Sequence, residues 1–441
     1  MDVIVAPSTP PGRGAVAMVR LSGQGARPLA ASLCPGGPDW HPRRASLRTV
    51  AAGALSDRAV VVWMPGPRSF TGEDVVEITC HGNPVVVAAI VDAAVALGAR
   101  PARPGEFTRR AVENGRLDLL QAEALAAVID ATTAEGVALA QGGLAGGLSN
   151  AVAAIREDLL DLAAELEARL DQPEGDLEVL DDAAVVAALR AVVGEASALA
   201  DTWASARPRL QGARVALVGP VNAGKSSLFN HLVGSHRALV SATPGTTRDA
   251  VERRIAVGGL DLTVVDTAGE RPDPGEIEAA GLRLGRQLAE EADLQLVVWP
   301  RHQPLDATGA ALLARTANRA RLVVETFGDH PRHPAAPPAD LTIDNTDGGG
   351  LAELTAALAT RLGGGPSRAD RAVVVSQRQQ ARLQAVAERA GAAAEALDGF
   401  AGPAIASEEV HLALEALAEL TGESAREAVL DRLFSRFCIG K

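Results

Sequence analysis

Hydrophobic positions along this chain change their period from one stretch to the next. Up to about residue 117, short apolar runs at Val3 to Ala6, Ala15 to Leu21, Val60 to Met64 and Val75 to Thr79 are separated by turns rich in Pro and Gly. That pattern predicts mixed α and β structure. From Leu117 to about Leu210, Ala, Leu and Glu recur at helical spacing, with Ile155, Leu159, Leu162, Leu166 and Leu170 on one face. Between Arg214 and about Leu362, apolar runs such as Val215 to Val218 and Leu262 to Val265 alternate with polar helical stretches, the pattern of a doubly wound α/β domain. A Gly363-Gly364-Gly365-Pro366 break closes that block, and helical spacing returns from about Ser376 to Phe437. Helix on both sides predicts that the α/β block is inserted into one helical domain. The expected division is 1–117, 118–211, 212–362 and 363–441.

Composition narrows the class. With 441 residues, 47% hydrophobic and 22% charged, the chain has length for about three domains and the balance of a folded soluble protein. Cys34, Cys80 and Cys438 are too few for a disulfide framework or a four-cysteine zinc site, which fits a reducing compartment. The start of the chain carries no signal pattern and no run reaches about 18 apolar residues. A cytoplasmic protein with no membrane partner is expected. A formal charge of -13 excludes a protein that coats nucleic acid with a net basic surface, so any RNA contact is local, with Arg43-Arg44 and Arg109-Arg110 as candidates. Aromatics make up 2% and tyrosine is absent, so stacking platforms for single-stranded bases are not expected. Of 42 basic residues only Lys225 and Lys441 are lysine. In a chain this biased toward arginine, those two mark places where a guanidinium does not substitute.

Lys225 lies in a phosphate-binding motif. The run Val215 to Val218 leads into Gly219-Pro220-Val221-Asn222-Ala223-Gly224-Lys225-Ser226, a G-x-x-x-x-G-K-S in the strand-to-helix context the motif needs; Ser227 follows. Glycines let backbone N–H groups turn toward a polyphosphate, Lys225 reaches the β and γ phosphates, and the Ser226 hydroxyl suits Mg2+. Downstream, Leu262 to Val265 runs into Asp266-Thr267-Ala268-Gly269, where an acid at a strand end holds the metal's hydration shell and a glycine N–H senses the γ phosphate. With Gly245-Thr246-Thr247-Arg248-Asp249 between them, these motifs predict a switch GTPase rather than a metabolic kinase. The base-reading loop departs from the usual N-K-x-D: Arg321 to Glu325 runs into Thr326-Phe327-Gly328-Asp329, so only the aspartate is retained. Asp329 can accept from guanine N1–H and the 2-amino group, and Phe327 can cover the base. The later S-A-K loop is reduced to Asp344-Asn345-Thr346.

These motifs, together with Thr9-Pro10-Pro11-Gly12-Arg13-Gly14, Phe70-Thr71-Gly72-Glu73-Asp74, Arg103-Pro104-Gly105-Glu106-Phe107-Thr108, Gly115-Arg116-Leu117-Asp118-Leu119, Gln121-Ala122-Glu123-Ala124 and the terminal Phe437-Cys438-Ile439-Gly440-Lys441, give a chain that resembles the MnmE (TrmE) tRNA-modification GTPases over nearly its whole length. The resemblance implies a multidomain α/β and α fold: a mixed α+β folate-binding N-terminal domain that dimerises, a central all-α helical domain, and an inserted Ras-like P-loop G domain with a doubly wound sheet. It implies an FAD-dependent MnmG (GidA) partner in a heterotetramer. With that partner the family adds an aminomethyl-type group to C5 of the wobble uridine of certain tRNAs, using 5-formyl- or methylene-tetrahydrofolate as one-carbon donor.

By the same resemblance Arg20, Glu77, Arg116 and Lys441 fall at folate-contacting positions. A glutamate suits the amino and ring N–H groups of a pterin, and Arg and Lys suit an anionic glutamyl tail. Hydrolysis of GTP resembles a K+-activated scheme, with Asn222, Ser241, Thr243 and Thr246 as cation ligands, Ser226 and Thr247 on Mg2+, and Ala242, Pro244 and Gly245 completing the nucleotide-binding loop. Glu278 matches the residue that orients the attacking water; a solvated acid at a helix start is its alternative. For Cys438 the readings are a thiol acting near the folate, an inert cysteine and, weakly, a prenylation box. Two other functions stay open on the sequence: a GTP-binding switch of the Era or Der kind in RNA or ribosome assembly, and an NTPase with relaxed base preference.

Overall fold

The computed structural model describes residues 2–36, 40–171, 181–235, 251–267, 276–363, 372–399, 401–424, 427–435 and 437–440. They fall into two compact units: Met1–Ala126 with Ser149–Val193 and Ala385–Lys441, and Ala127–Leu148 with Gly194–Gln384.

The chain opens with β1 (Ile4–Pro7), β2 (Val16–Ser22), α1 (Ala26–Leu33), β3 (Ser46–Ala52), β4 (Leu55–Met64), β5 (Val75–His81), α2 (Pro84–Ala96), β6 (Arg100–Pro101) and α3 (Glu106–Glu113). The six strands form one sheet in the order β3-β4-β5-β2-β1-β6, antiparallel except for β1 against β6. Alternation sets its two faces. Val50, Ala59, Val61, Val76, Ile78, Val19 and Leu21 join the core with Ala26, Ala30, Leu33, Ile90 and Ala94 of the helices. Residues between them in sequence, among them Leu47, Val60, Glu77 and Arg20, turn to the opposite face. Helix α2 begins where Pro84 removes a donor that would have no partner and the Asn83 side chain accepts from the Val85 amide at 2.9 Å.

Then follow α4 (Leu119–Asp130), α5 (Ala134–Leu144), α6 (Gly147–Asp171) and α7 (Asp182–Gln211). On α6, Ile155, Leu159, Leu162 and Leu166 are buried as their spacing predicts, but Leu170 is 43% exposed. By that point the 3.6-residue period has carried the position to the edge of the stripe, in the helix's last turn. α7 also departs from expectation: among the described residues it is the one helix long and apolar enough by composition to cross a bilayer. Its length is made largely of alanines and valines, and Val185, Leu189, Val192, Ala196, Ala200 and Trp203 are buried in the protein.

The second unit holds β7 (Ala213–Val218), α8 (Lys225–Ser235), β8 (Val251–Val257), β9 (Leu260–Asp266), α9 (Glu276–Glu291), β10 (Leu294–Pro300), α10 (Ala307–Thr316), β11 (Arg321–Thr326), β12 (Leu341–Thr342) and α11 (Leu351–Arg361). Its sheet order is β12-β11-β10-β7-β9-β8, parallel except for the β8-β9 pair. β10 is buried at every position, as a central strand covered on both faces must be. From β7 the chain runs to β8 and β9 on one side and later to β10 on the other, so β7 ends at the switch point where such sheets bind ligands. Last come α12 (Gln377–Asp398), α13 (Pro403–Thr421) and α14 (Glu427–Phe434), whose Phe434 packs on Leu119 and Ala122 of α4.

Candidate functional site

The phosphate loop rises from β7 and ends at the first residue of α8. Asn222 and Gly224 take positive φ, 60° and 84°, which directs the loop back over its own backbone. Lys225 is buried, and its ammonium donates to the carbonyls of Gly219 at 3.1 Å and Pro220 at 2.7 Å. The cation therefore waits inside the curve where polyphosphate oxygens would lie. The Ser226 hydroxyl donates to Asp266 Oδ2 at 2.8 Å, and Asp266 Oδ1 is buried with no partner among the described residues. Thr267 anchors the end of β9 by donating to the Leu217 carbonyl at 2.5 Å. Ser227 and Asn222 are exposed and Ala223 is buried.

Across the loop, β11 brings in the base-reading residues. Thr326 is fully buried, and its hydroxyl lies 2.7 Å from the Ala223 carbonyl and 3.2 Å from that of Trp299. It thus ties base loop to phosphate loop. Phe327 follows with φ 58° and makes edge contacts with His302 and His330, ring centroids 5.1 Å and 5.8 Å away. The chain turns there, leaving the Asp329 carboxylate half-exposed with His330 Nε2 at 3.7 Å.

A second constellation lies on the face of the N-terminal sheet turned away from α1 and α2, where Phe70 and Phe107 cover it. Arg20 on β2 stands opposite Glu77 on β5, and its Nε and Nη2 donate to Glu77 Oε1 at 3.0 Å and 2.8 Å. Nη1 of the same guanidinium donates to the Gly440 carbonyl at 3.2 Å, and the Ser8 hydroxyl donates to that oxygen at 2.9 Å. The guanidinium carbon is 5.7 Å from the rings of both Phe70 and Phe107. Gly440 has φ 96°, and a Cβ there would collide with the Pro7 carbonyl oxygen, so only glycine brings the chain this close. Arg116 Nε donates at 3.1 Å to the carbonyl of Ser69, the residue before Phe70. Cys438 is exposed, with its carbonyl 3.4 Å from the Gly105 amide.

Comparison with known proteins settles what kind of chain this is. The profile of the GTP-binding protein TrmE N-terminus matches residues 3–116, and that of the MnmE helical domain matches residues 119–438. A tRNA modification GTPase MnmE of Synechococcus sp. (strain CC9605) is 40% identical over 99% of this chain and 98% of its own length. The chain belongs to the MnmE family of tRNA modification GTPases. Two further MnmE relatives, from Acidiphilium cryptum and Thermus thermophilus, are 41% and 40% identical over 100% of this chain and 99% of theirs.

Of the residues the MnmE resemblance singles out, Arg20 and Glu77 come together, Arg116 bonds instead to the Ser69 carbonyl, and Gly219, Lys225, Ser226, Asp266 and Thr326 gather around the phosphate loop. Ser241, Ala242, Thr243, Pro244, Gly245, Thr246, Thr247, Ala268, Gly269 and Lys441 lie outside the described residues, as does the Glu278 side chain on α9. One expectation fails. Arg110 is no surface contact for RNA: its side chain is 5% exposed and donates to Glu73 at 3.0 Å and Asp2 at 2.7 Å. Arg109 is engaged by Glu113 and Asp431. The two arginines are engaged by carboxylates on α3 and around it, whereas Arg43 and Arg44 are exposed.

Three features escaped the sequence reading. The Gly440 carbonyl carries no side-chain signal, and Asn345, visible as part of the reduced S-A-K loop, gave no sign that its carboxamide is buried without a partner among the described residues. Phe70 and Phe107 were visible as motif members but not as a frame for Arg20.

Proposed function

We propose that this chain is a K+-activated, Mg2+-dependent GTP hydrolase. With an FAD-dependent partner of the MnmG (GidA) type it adds an aminomethyl-type group to C5 of the wobble uridine of certain tRNAs, drawing the carbon from a tetrahydrofolate. The observation that carries this beyond a plain GTP switch is the Arg20–Glu77 pair capped by the Gly440 carbonyl. A switch of the Era or Der kind has no use for such a pocket. The glutamate's free lone pairs suit pterin N–H groups, and the half-buried Phe70 offers an apolar wall.

At the phosphate loop, the Ser226 hydroxyl is a hard oxygen donor of the kind Mg2+ takes, with Thr247 as a further ligand, and the unpartnered Asp266 Oδ1 suits the metal's hydration shell. Bound there, the metal would neutralise charge developing on the phosphates. Lys225 would exchange two loop carbonyls for phosphate oxygens, and Asn222, exposed at a left-handed position, would offer its carbonyl oxygen to K+. Glu278 would orient the attacking water. Cys438, exposed and within the segment that caps Arg20, is the thiol nearest in sequence to that pocket.

Dimerisation through the N-terminal domain is supported by the sheet's open face, where Leu47 and Val60 stand opposite each other at 54% and 40% exposed, in the same cross-strand row as Thr79 and Met18. A tRNA substrate supports a cytoplasmic location.

The test is GTP and ATP hydrolysis by the purified chain in matched K+ and Na+ buffers, alongside titration with 5-formyltetrahydrofolate. Turnover confined to GTP and K+, with folate binding weakened in Glu77→Gln, is the expected outcome. GTP turnover indifferent to the cation and no folate binding would return the chain to the plain switch.

A further inference from the structure

The loop after β12 contains a carboxamide with nothing to hold. Both Asn345 Oδ1 and Nδ2 are buried and lack partners among the described residues. Leaving a buried donor or acceptor unmade costs on the order of 1–3 kcal/mol, so a group in this position calls for a partner that arrives later. Its place is tightly set. The Ile343 amide donates to the Glu325 carbonyl at 2.7 Å, and the Gly328 amide donates to the Ile343 carbonyl at 3.1 Å, which pins the loop to the base-reading turn. On the other side His231 Nε2 of α8 donates to the Asn345 carbonyl at 2.7 Å. The amide nitrogen itself rests on the phosphate loop: a Cβ on Gly224 would collide with Nδ2 and lie 3.5 Å from the Thr326 Cβ.

Asn345 thus stands between the phosphate loop and the residue that begins the base-reading motif. Position 326 ordinarily brings an asparagine carboxamide; here it brings a threonine, whose one proton is taken up by main-chain carbonyls. The missing amide chemistry has a replacement on the facing loop.

We propose that Asn345 is a specificity-determining residue of the nucleotide site, its carboxamide donating from Nδ2 to the 6-oxo group of a guanine base while Asp329 accepts from N1–H and the 2-amino group. This rests on the reading that the site holds GTP. The division of labour follows from inventory: a carboxylate only accepts, so Asp329 cannot address an oxo group, and Asn345 supplies the donor. A purine that keeps N1–H but weakens the acceptor at C6 separates Asn345 from Asp329, and inosine, which lacks the 2-amino group, does the reverse.

The experiment is competitive displacement of a fluorescent GTP analogue from the full-length chain by GTP, 6-thio-GTP, ITP and ATP. The unsubstituted chain is expected to favour GTP over 6-thio-GTP by about five- to tenfold, the worth of one hydrogen bond. In Asn345→Ala that ratio falls to about one, while the GTP-to-ITP ratio, set by Asp329, is unchanged. In Asn345→Asp, which keeps the size but turns a second carboxylate on the oxo group, GTP loses ground to ATP. Equal weakening of GTP and 6-thio-GTP in Asn345→Ala would make the residue a brace between loops and overturn the proposal, as would ratios that do not move. Should the unsubstituted chain bind GTP no better than ATP, it is the guanine-site reading itself that falls, a result distinct from either.

Discussion

The two constellations differ in how their charged groups are spent. On the N-terminal sheet, Arg20 and Glu77 already satisfy each other, and a main-chain carbonyl 420 residues away completes the guanidinium's coordination. Around the phosphate loop, Asp266 Oδ1 and both polar atoms of Asn345 have no partner among the described residues, and Lys225 is held by neutral carbonyls. The first constellation is internally satisfied, its ion pair and capping carbonyl already in place. The second keeps open hydrogen-bonding capacity, which a charged nucleotide and its cation can fill. That difference accords with the proposed folate site on the sheet and with a polyphosphate whose arrival and departure change the state of the protein.

The sharpest way to separate the sites is to disable one and read both. Lys225→Ala should lower GTP hydrolysis by at least about a hundredfold, measured as phosphate release, and leave binding of 5-formyltetrahydrofolate intact. Conversely, Glu77→Gln should weaken folate binding by about tenfold to a hundredfold in a calorimetric titration, since a charged hydrogen-bond acceptor is lost, with GTP turnover unchanged.

A third substitution asks whether the first unit depends on its buried charges. Arg110→Ala strands Glu73, whose side chain is 8% exposed, and should cost about 3 kcal/mol in urea unfolding of the full chain. The same network predicts an acid response. Glu106 sits below its ordinary 4.5: burial pushes it up, and the hydrogen bond and charge of Arg100, the Arg103 amide and the Arg110 charge more than reverse that. Asp2 is lowered from 3.8, chiefly by its hydrogen bond from Arg100. Carboxylates depressed in the folded state stabilise it at pH above their ordinary values, and that contribution is lost as pH falls through the folded ones. Thermal stability of the first unit should therefore be level near neutrality and decline below about pH 4.5, less steeply in Glu106→Gln.

The smallest effect concerns thiols. Burial pushes Cys34 up to about 11 and raises Cys80, whereas Cys438 is exposed. Brief iodoacetamide treatment at pH 8 should label Cys438 first, as read by peptide mass spectrometry.

What the sequence made legible follows from range. The phosphate motif was readable because its chemistry is contiguous: glycines, Lys225 and Ser226 sit in one turn between a strand and a helix. Strands at Val215 to Val218 and Leu262 to Val265 were readable for the same local reason and appear as Ala213–Val218 and Leu260–Asp266. Strand β3, with Arg48 on its buried side, gave no clean apolar alternation; its burial depends on α1 and α2 packing over it. Arg20 and Glu77 could be named by resemblance, but their cross-strand register is a tertiary fact. Arg110 illustrates the reverse error, since neighbouring arginines look like a basic patch until the fold supplies Glu73 and Asp2.

The Gly440 carbonyl carries one more consequence, which concerns synthesis on the ribosome. Arg20 leaves the exit tunnel early, yet its last partner lies 420 residues behind it. At about 5–20 residues per second, that interval is roughly 20–80 s, during which the sheet can fold while its pocket stays unfinished. A chain released early would carry a folded first sheet and a whole phosphate loop without the cap on Arg20. Capping of Arg20 therefore waits until translation has passed Gly440.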